Sequence, residues 1–237
     1  MTKVNRKIHV IGINSYKFED LSFKLQNLFL ETENIAVPNS FFEKIKSWSE
    51  NGLFKKKSFF SSKSNNELVN WLRSQKTDVI LISRGDPLWV GIGRILLENF
   101  SKDELNFYPS NTCIQLAFSK LKIPWQDTVN LSIHGRDSSR LVEALKARPS
   151  SLSIITDSLN KSLEIIKENL SELNMIDFYD FWLCEEVGLN KEKIRKINLK
   201  ESLPSDISSL NIVALTKTKK IFSNNTIPLF GINDSIF

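Results

Sequence analysis

Histidine, cysteine and methionine are scarce in this chain, two of each among 237 residues. The histidines, His9 and His134, and the cysteines, Cys113 and Cys184, are dispersed and form no ligand spacing, so no metal site is expected. Cysteines this far apart read as reduced thiols, and a chain of this length can bury a core without disulfide staples. Long apolar runs are missing too. No stretch of about 18 apolar residues is present to cross a bilayer. The basic opening MTKVNRKIHVIGIN lacks the apolar length and small-residue cleavage site of a secretory signal. These absences predict a cytoplasmic protein. Glycine is also sparse, with eight residues, and neither G-x-G-x-x-G, Gly-Lys-Ser/Thr nor G-x-S-x-G occurs. The usual dinucleotide, P-loop and serine-hydrolase signatures are thereby excluded.

What is present is an ordinary globular composition with a basic balance, 32 Lys and Arg against 27 Asp and Glu, net +5. Most basic residues, such as Lys161, Lys167, Lys191, Lys193, Arg195 and Lys196, are scattered at helical spacing. Only Lys55-Lys56-Lys57, followed by Phe59-Phe60, is a compact basic–aromatic cluster, and it reads as a solvated loop. A nucleic-acid partner is therefore not expected, whereas a polyanionic small molecule suits this surface.

Apolar runs of strand length alternate with amphipathic segments along the chain. Strands are predicted over 8–13, 78–83, 104–108, 129–133, 151–156, 177–184 and 211–216. Helices are predicted over 21–30, 65–74, 92–100, 112–121, 138–147 and 161–173. This alternation predicts an α/β fold of two domains with mainly parallel sheets. The boundary is placed at Tyr108-Pro109-Ser110, giving domains of 1–110 and 111–237, with a ligand cleft between them.

The stretch SRGDPLWVGIGRIL, Ser83 to Leu96, spends three glycines just after a buried strand. Ligands of open α/β sheets bind outside the carboxyl ends of strands. Gly85 can take a positive φ, Pro87 stiffens the turn, and Asp86 supplies an acceptor. Spacing alone leaves this turn open between a plain connector and a binding loop.

The strand followed by GDPLWVGIG resembles the Gly-Asp-Pro signature of the tetrapyrrole methylases. VIGI from Val10, YPSNTCIQLAFSKLKIPWQD from Tyr108, LSIHGR from Leu131 and WLCEEVGLNKEKI from Trp182 resemble further segments of that family, in order. The Gln-Ala-Phe, Pro-Trp-Gln-Asp and His-Gly-Arg elements resemble its precorrin-6Y methylase branch. The resemblance implies S-adenosylmethionine as methyl donor, and methylation at C5 of precorrin-7 or its cobalt form in cobalamin synthesis. Donor binding is implied for Gly85, Asp86, Trp89, Thr112, Cys113, Thr156 and Ala214, with Glu186 or Val187 as further contacts. Thr112 can equally be a helix cap and Cys113 simple packing.

His134 and Arg136 end a predicted strand beside Gly135. Arg136 suits the carboxylates of the macrocycle, and His134 suits substrate binding or proton handling. Asp86 and His134 are the candidate catalytic groups, while His9 reads as a strand residue without a role. The family pattern has a second glycine after Gly12, where this chain has Ile13-Asn14-Ser15. The resemblance also implies a homodimer, for which Phe41, Phe42, Trp48 and Trp71 are candidate exposed positions. LFGINDSIF from Leu229 resembles the segment that ends a free-standing methylase and that leads, in fused relatives, into a C15-methylating, decarboxylating domain, so the sequence leaves open a separate partner for that step or a chain cut short before that domain. Alternatives are a related methylase acting on another position or substrate, or a non-catalytic α/β module that binds an anionic ligand or RNA.

Overall fold

The structure is a computed structural model that describes residues 6–48, 57–133, 139–156 and 161–218. The chain divides into two compact units, Met1–Cys113 and Ile114–Phe237.

In the first unit the elements run β1 (Ile8–Ile13), α1 (Phe23–Glu31), β2 (Asn34–Ala36), α2 (Phe42–Lys46), β3 (Ser58–Phe60), α3 (Asn65–Ser74), β4 (Val79–Arg84), α4 (Gly93–Asn99) and β5 (Leu105–Tyr108). The strands form one parallel sheet in the order β3-β2-β4-β1-β5. All six residues of β1, IHVIGI, are buried, as expected for a central strand covered on both faces. Ile8 and Val10 join the cluster of Leu68, Leu72, Leu81 and Leu96, while Ile11 and Ile13 join that of Phe29, Ile35, Ile80 and Ile82. Each such side chain contributes about 1.5–3 kcal/mol relative to exposure. Helix α3 starts where Ser64 accepts a hydrogen bond from the Glu67 amide at 3.2 Å, and it buries Leu68, Val69 and Leu72.

The short strands β2 and β3 lie outside the predicted set, because three residues are too few to display a period. Lys57, predicted to be part of a solvated loop, donates from Nζ to the Leu30 and Thr32 carbonyl oxygens at 2.6 and 2.7 Å. It thereby caps the carboxyl end of α1 with a positive charge. Three of the four aromatics proposed for a dimer face pack inward instead, and the Phe41 side chain lies outside what the structure describes. Trp48 is buried against Phe29 and Phe18, and half-buried Phe42 joins the same cluster. Trp71 stacks on Phe60 with centroids 4.5 Å apart.

The second unit runs α5 (Cys113–Leu121), β6 (Val129–Ser132), α6 (Ser139–Lys146), β7 (Ser151–Ile155), α7 (Lys161–Glu172), β8 (Tyr179–Glu185), β9 (Lys193–Ile197) and β10 (Asn211–Lys217). Its sheet has the order β6-β7-β10-β8-β9. The α/β class holds in both units, but the parallel arrangement is complete only in the first. Here β6 and β7 pair in parallel, while β10 is antiparallel to both β7 and β8, and β9 is antiparallel to β8. Strands β6, β7 and β8 therefore run in one direction, as strand–helix alternation predicts, with β10 inserted between the last two. Helices α6 and α7 cover one face through Leu141, Leu145, Leu163, Ile166 and Leu170, which meet Leu152, Ile154, Leu183, Val213 and Leu215.

Strand β9 corrects a second expectation. Lys193, Arg195 and Lys196 were read at helical spacing, yet they lie on an edge strand, where charge is at home. Their cross-strand partners explain it. Lys196 pairs with Asp180 at 2.8 Å, and Arg195 with Glu185 at 2.8 Å.

Candidate functional site

Three strand ends come together at the carboxyl edge of the first sheet. Gly12 is opposite Ser83 and Ile13 opposite Arg84, and β5 on the other side of β1 ends at Tyr108. Chain leaves β4 through Gly85, with φ +60, a conformation that favours glycine. The Gly85 amide donates to the Ile13 carbonyl at 3.1 Å, and the Ser110 amide donates to the Gly85 carbonyl at 3.2 Å. Asn14 closes the triangle from its side-chain amide to the Ser110 hydroxyl at 2.7 Å. The Ile13-Asn14-Ser15 segment, where the resemblance leads one to expect a second glycine, thus carries an amide that ties the exits of β1 and β5 together. Sequence reasoning singled out Asn14 only as a departure and did not single out Ser110.

The loop itself is organised by its own main chain. Asp86 accepts from the Leu88 amide through Oδ1 at 2.9 Å, and its carbonyl accepts from the Trp89 amide at 3.0 Å. The Pro87 carbonyl accepts from Gly93 at 2.9 Å, and a Cβ on Gly93 would lie only 2.5 Å from that oxygen. Gly85 and Gly93 are therefore required by the turn's own path. A Cβ at Gly85 would face the Asn111 oxygen at 3.2 Å and the Thr112 Cα at 3.5 Å, so the glycine admits the neighbouring chain. Thr112 and Cys113, both half-buried, follow directly at the start of α5. Gly85, Asp86 and Thr112 are thus near neighbours around one turn. His9, buried on β1, is not inert in its surroundings: Nδ1 is 3.1 Å from the Tyr108 hydroxyl and Nε2 is 3.5 Å from Asp78. Burial, and then the Asp78 charge, raise the Tyr108 pKa.

The remaining residues predicted to contact a donor lie in the second unit. Thr156 directly follows β7 and is buried, its hydroxyl 2.6 Å from Asn211 Oδ1 and 3.0 Å from the Asn211 carbonyl. That hydroxyl is committed to the start of β10. Ala214, opposite Ser153 and Trp182, is fully buried on the sheet face turned away from the α6–α7 core. Ser153 on this face donates to Asn130 at 2.6 Å. Glu186 has φ +46, accepts from the Ser208 hydroxyl at 3.0 Å, and donates its amide to the Leu210 carbonyl at 2.8 Å. Val187 beside it is buried.

The Glu-Glu-Val-Gly segment is braced from both ends. Glu185 is 1% exposed and receives Arg195 and the Ser208 amide, the latter at 2.8 Å. Glu192 accepts from the Gly188 amide at 2.8 Å and pairs with Lys120 at 2.8 Å. Burial pulls the Glu192 pKa up, but the Gly188 bond and Lys120 more than offset it, and the net direction is down. His134 and Arg136 lie outside the described residues. A cavity of about 910 Å³ bounded by Asp177, Tyr179, Asp180, Lys196 and Thr218 contains none of the predicted site residues. Among the described residues no cluster of three potential metal ligands occurs, and no helix is long and apolar enough to cross a membrane.

Comparison with known proteins adds to this geometry. The chain is 25% identical over 149 residues to a probable cobalt-precorrin-7 C(5)-methyltransferase of Methanocaldococcus jannaschii, covering 62% of this chain and 68% of that one. It is 28% identical over 102 residues to the cobalt-precorrin-7 C(5)-methyltransferase of Salmonella typhimurium, covering 43% of this chain and about half (49%) of that relative's length. Among solved structures, the uroporphyrin-III C-methyltransferase of Thermus thermophilus, complexed with S-adenosylhomocysteine, superposes with TM-score 0.62 at 17% identity. That match covers 91% of this chain and 100% of that one and speaks for the fold. The family description that fits residues 7–202 is "Tetrapyrrole (Corrin/Porphyrin) Methylases", and with most of its length matched the chain belongs to that family.

Proposed function

We propose that this protein is an S-adenosylmethionine-dependent C-methyltransferase that methylates C5 of precorrin-7 or cobalt-precorrin-7 in cobalamin synthesis. The observation that carries the reading is the Gly85-Asp86-Pro87 turn at the carboxyl edge of a parallel sheet, in a chain related to two proteins named for that reaction. The turn suits a polar ligand held largely by main chain. It lies at the end of a central strand, and half-buried Asp86, Ser110 and Thr112 are near neighbours along it.

When bound, the donor supplies a methyl group on a sulfonium, which an electron-rich ring carbon attacks in line while the C–S electron pair stays on sulfur. The chain's part is placement. Gly85, Asp86 and Thr112 would orient the donor, with Trp89, Cys113, Thr156 and Ala214 as further contacts. Alignment of this kind lowers a barrier by about 7–11 kcal/mol in the best oriented cases. Arg136 would take a macrocycle carboxylate, and His134 or Asp86 would accept the proton released when the ring regains conjugation. Asp86 already spends one oxygen on the Leu88 amide, which leaves His134 the better base of the two. A cytoplasmic homodimer completes the reading.

Incubation with labelled S-adenosylmethionine and cobalt-precorrin-7 tests it. Transfer of one methyl group to C5, read by mass and NMR, is expected. Donor binding without transfer to either form of precorrin-7 would point to another position or another substrate.

A further inference from the structure

His9 is the only ionisable side chain of β1, a strand buried along its whole length, and it is 6% exposed. Its Nε2 has no hydrogen-bond partner among the described residues, although Asp78 Oδ2 is 3.5 Å away. An apolar residue would pack there without that loss, so the imidazole points to a task besides packing. The other ring nitrogen shows the task. Nδ1 lies 3.1 Å from the hydroxyl of Tyr108, the last residue of β5. A neutral imidazole carries one N–H, and Nε2, which faces the Asp78 carboxylate, takes it. Nδ1 then offers a lone pair and accepts from the Tyr108 hydroxyl. Burial, and then the Asp78 charge, raise the Tyr108 pKa, so the phenol keeps the proton it donates. Asp78 is itself held, its Oδ1 accepting from the Lys7 amide at 2.7 Å. Beyond Tyr108 the path leads to the Gly-Asp-Pro turn. Pro109 comes next, with one backbone dihedral fixed by its ring, and then Ser110. The Ser110 amide donates to the Gly85 carbonyl at 3.2 Å, and its hydroxyl accepts from the Asn14 side chain at 2.7 Å. A shift of Tyr108 therefore reaches Gly85 through one proline and one hydrogen bond.

We propose that Tyr108 is a positioning residue for donor binding, and that the imidazole of His9, oriented by Asp78, holds it in place. This role rests on the methyltransferase reading above, which puts a donor at Gly85, Asp86 and Thr112. The three groups act through Ser110 rather than by touching the donor. Asp78 precedes β4 and Gly85 follows it, so the tie spans the six residues of that strand, about 20 Å at about 3.3 Å each. A binding turn keeps its geometry only when the groups beneath it are themselves locked, and a hydrogen-bonded ring at the end of β5 supplies that lock.

The test uses the full chain. S-adenosylhomocysteine is titrated into wild type, Tyr108→Phe, His9→Leu and His9→Asn, and each protein is unfolded thermally. Asn sets an amide oxygen where Nδ1 stood, whereas Leu sets nothing polar there. Loss of the one hydrogen bond in Tyr108→Phe or His9→Leu should weaken S-adenosylhomocysteine binding about fivefold. His9→Asn should restore most of that loss. The thermal midpoints should not follow the same order: His9→Leu, which removes the unpartnered nitrogen, should melt no lower than His9→Asn. Imidazole nitrogen NMR of wild type, with His9 assigned through its backbone, should show a protonated Nε2 and an unprotonated Nδ1. Unchanged affinity in Tyr108→Phe overturns the proposal and leaves the methyltransferase reading standing. So does an affinity loss that tracks the melting of every variant, with Asn no better than Leu, since His9 is then only a core residue. A protonated Nδ1 in wild type overturns it however the variants fold. Wild type that binds no S-adenosylhomocysteine overturns this role together with the reading on which it rests.

Discussion

Gly12 and the carbonyl of Gly85 are in such close contact that a Cβ on Gly12 would overlap the oxygen. The carboxyl end of β1 is thus the template on which the Gly-Asp-Pro turn is laid. Gly12→Ala should push the turn away from the strand and reduce stability by about 1–3 kcal/mol, as overpacking does. S-adenosylhomocysteine affinity should fall with it. A chemical denaturation midpoint and an affinity both equal to wild type would show that the turn does not depend on this contact.

Gly85 itself is held in a left-handed conformation. Gly85→Val should lose stability as well as donor binding, because a β-branched residue is strained there and the Asn111 oxygen is close. Gly85→Asn should retain more of the fold, since Asn tolerates this region, at a backbone penalty of about 1–2 kcal/mol or less. The order of unfolding free energies, wild type above Asn above Val, is the check. An equal loss in both variants would remove backbone conformation as the cause.

Two titrations bound the stability profile. Hydrogen bonds from Arg195 and then Lys193 hold the Asp206 pKa down at about 2. A depressed carboxylate stabilises the fold above its unfolded pKa of about 3.9, and that contribution disappears as pH falls toward 2. Asp206→Asn should flatten the acid limb of the unfolding curve. At the other end, burial raises Tyr179 to about 12, and its hydroxyl donates to the Pro149 carbonyl at 2.9 Å. A raised phenol stabilises below its unfolded pKa of about 10, and the gain is lost as pH rises through 12. Tyr179→Phe should remove that alkaline slope. Parallel curves for variant and wild type in either range would refute the corresponding assignment.

Glu185 is the buried anion that braces the segment before Glu186 and Val187, with Arg195 as its cation. Removing one member of a buried pair typically costs about 3–5 kcal/mol. Arg195→Met should therefore destabilise by that order, and replacing both residues by apolar ones should recover part of it. A double-mutant cycle with no coupling would make the pair incidental.

Arg136→Ala is expected to weaken tetrapyrrole binding by about 2–5 kcal/mol and to spare the donor. Arg136→Lys should rescue in part, since an ammonium cannot reproduce the bidentate fork. Equal losses for porphyrin and S-adenosylhomocysteine would remove Arg136 from the acceptor site.

Most of the fold was legible because burial writes period and composition into sequence. The run Val79-Ile80-Leu81-Ile82 and the largely apolar β1 announce central strands, and helices such as α3 carry a cap and a stripe. The strands β2, β3 and β9 were hidden for two reasons. Three residues show no period, and an edge strand satisfied by ion pairs looks like a solvated helix face. The antiparallel insertion of β10 was invisible because pairing partners leave no local mark. At the site, Gly85 and Asp86 were legible as a turn, but the demands on them come from Ile13, Ser110 and Asn111, remote in sequence. For Thr156, a predicted donor contact, the structure adds what sequence could not show, the bond from its hydroxyl to Asn211.

The position of β10 has a consequence for how the chain is made. The strand nearest the carboxyl end of the described chain is the middle one of its sheet, flanked by β7 and β8. On the ribosome the first unit can close as soon as its fifth strand emerges, while the second waits with the facing edges of two apolar strands open until residue 217 is out. Unpaired edges of that kind are templates for wrong partners. Synthesis therefore leaves an interval in which the second unit is exposed to chaperones or to aggregation, and slowing elongation across the stretch before β10 would lengthen it.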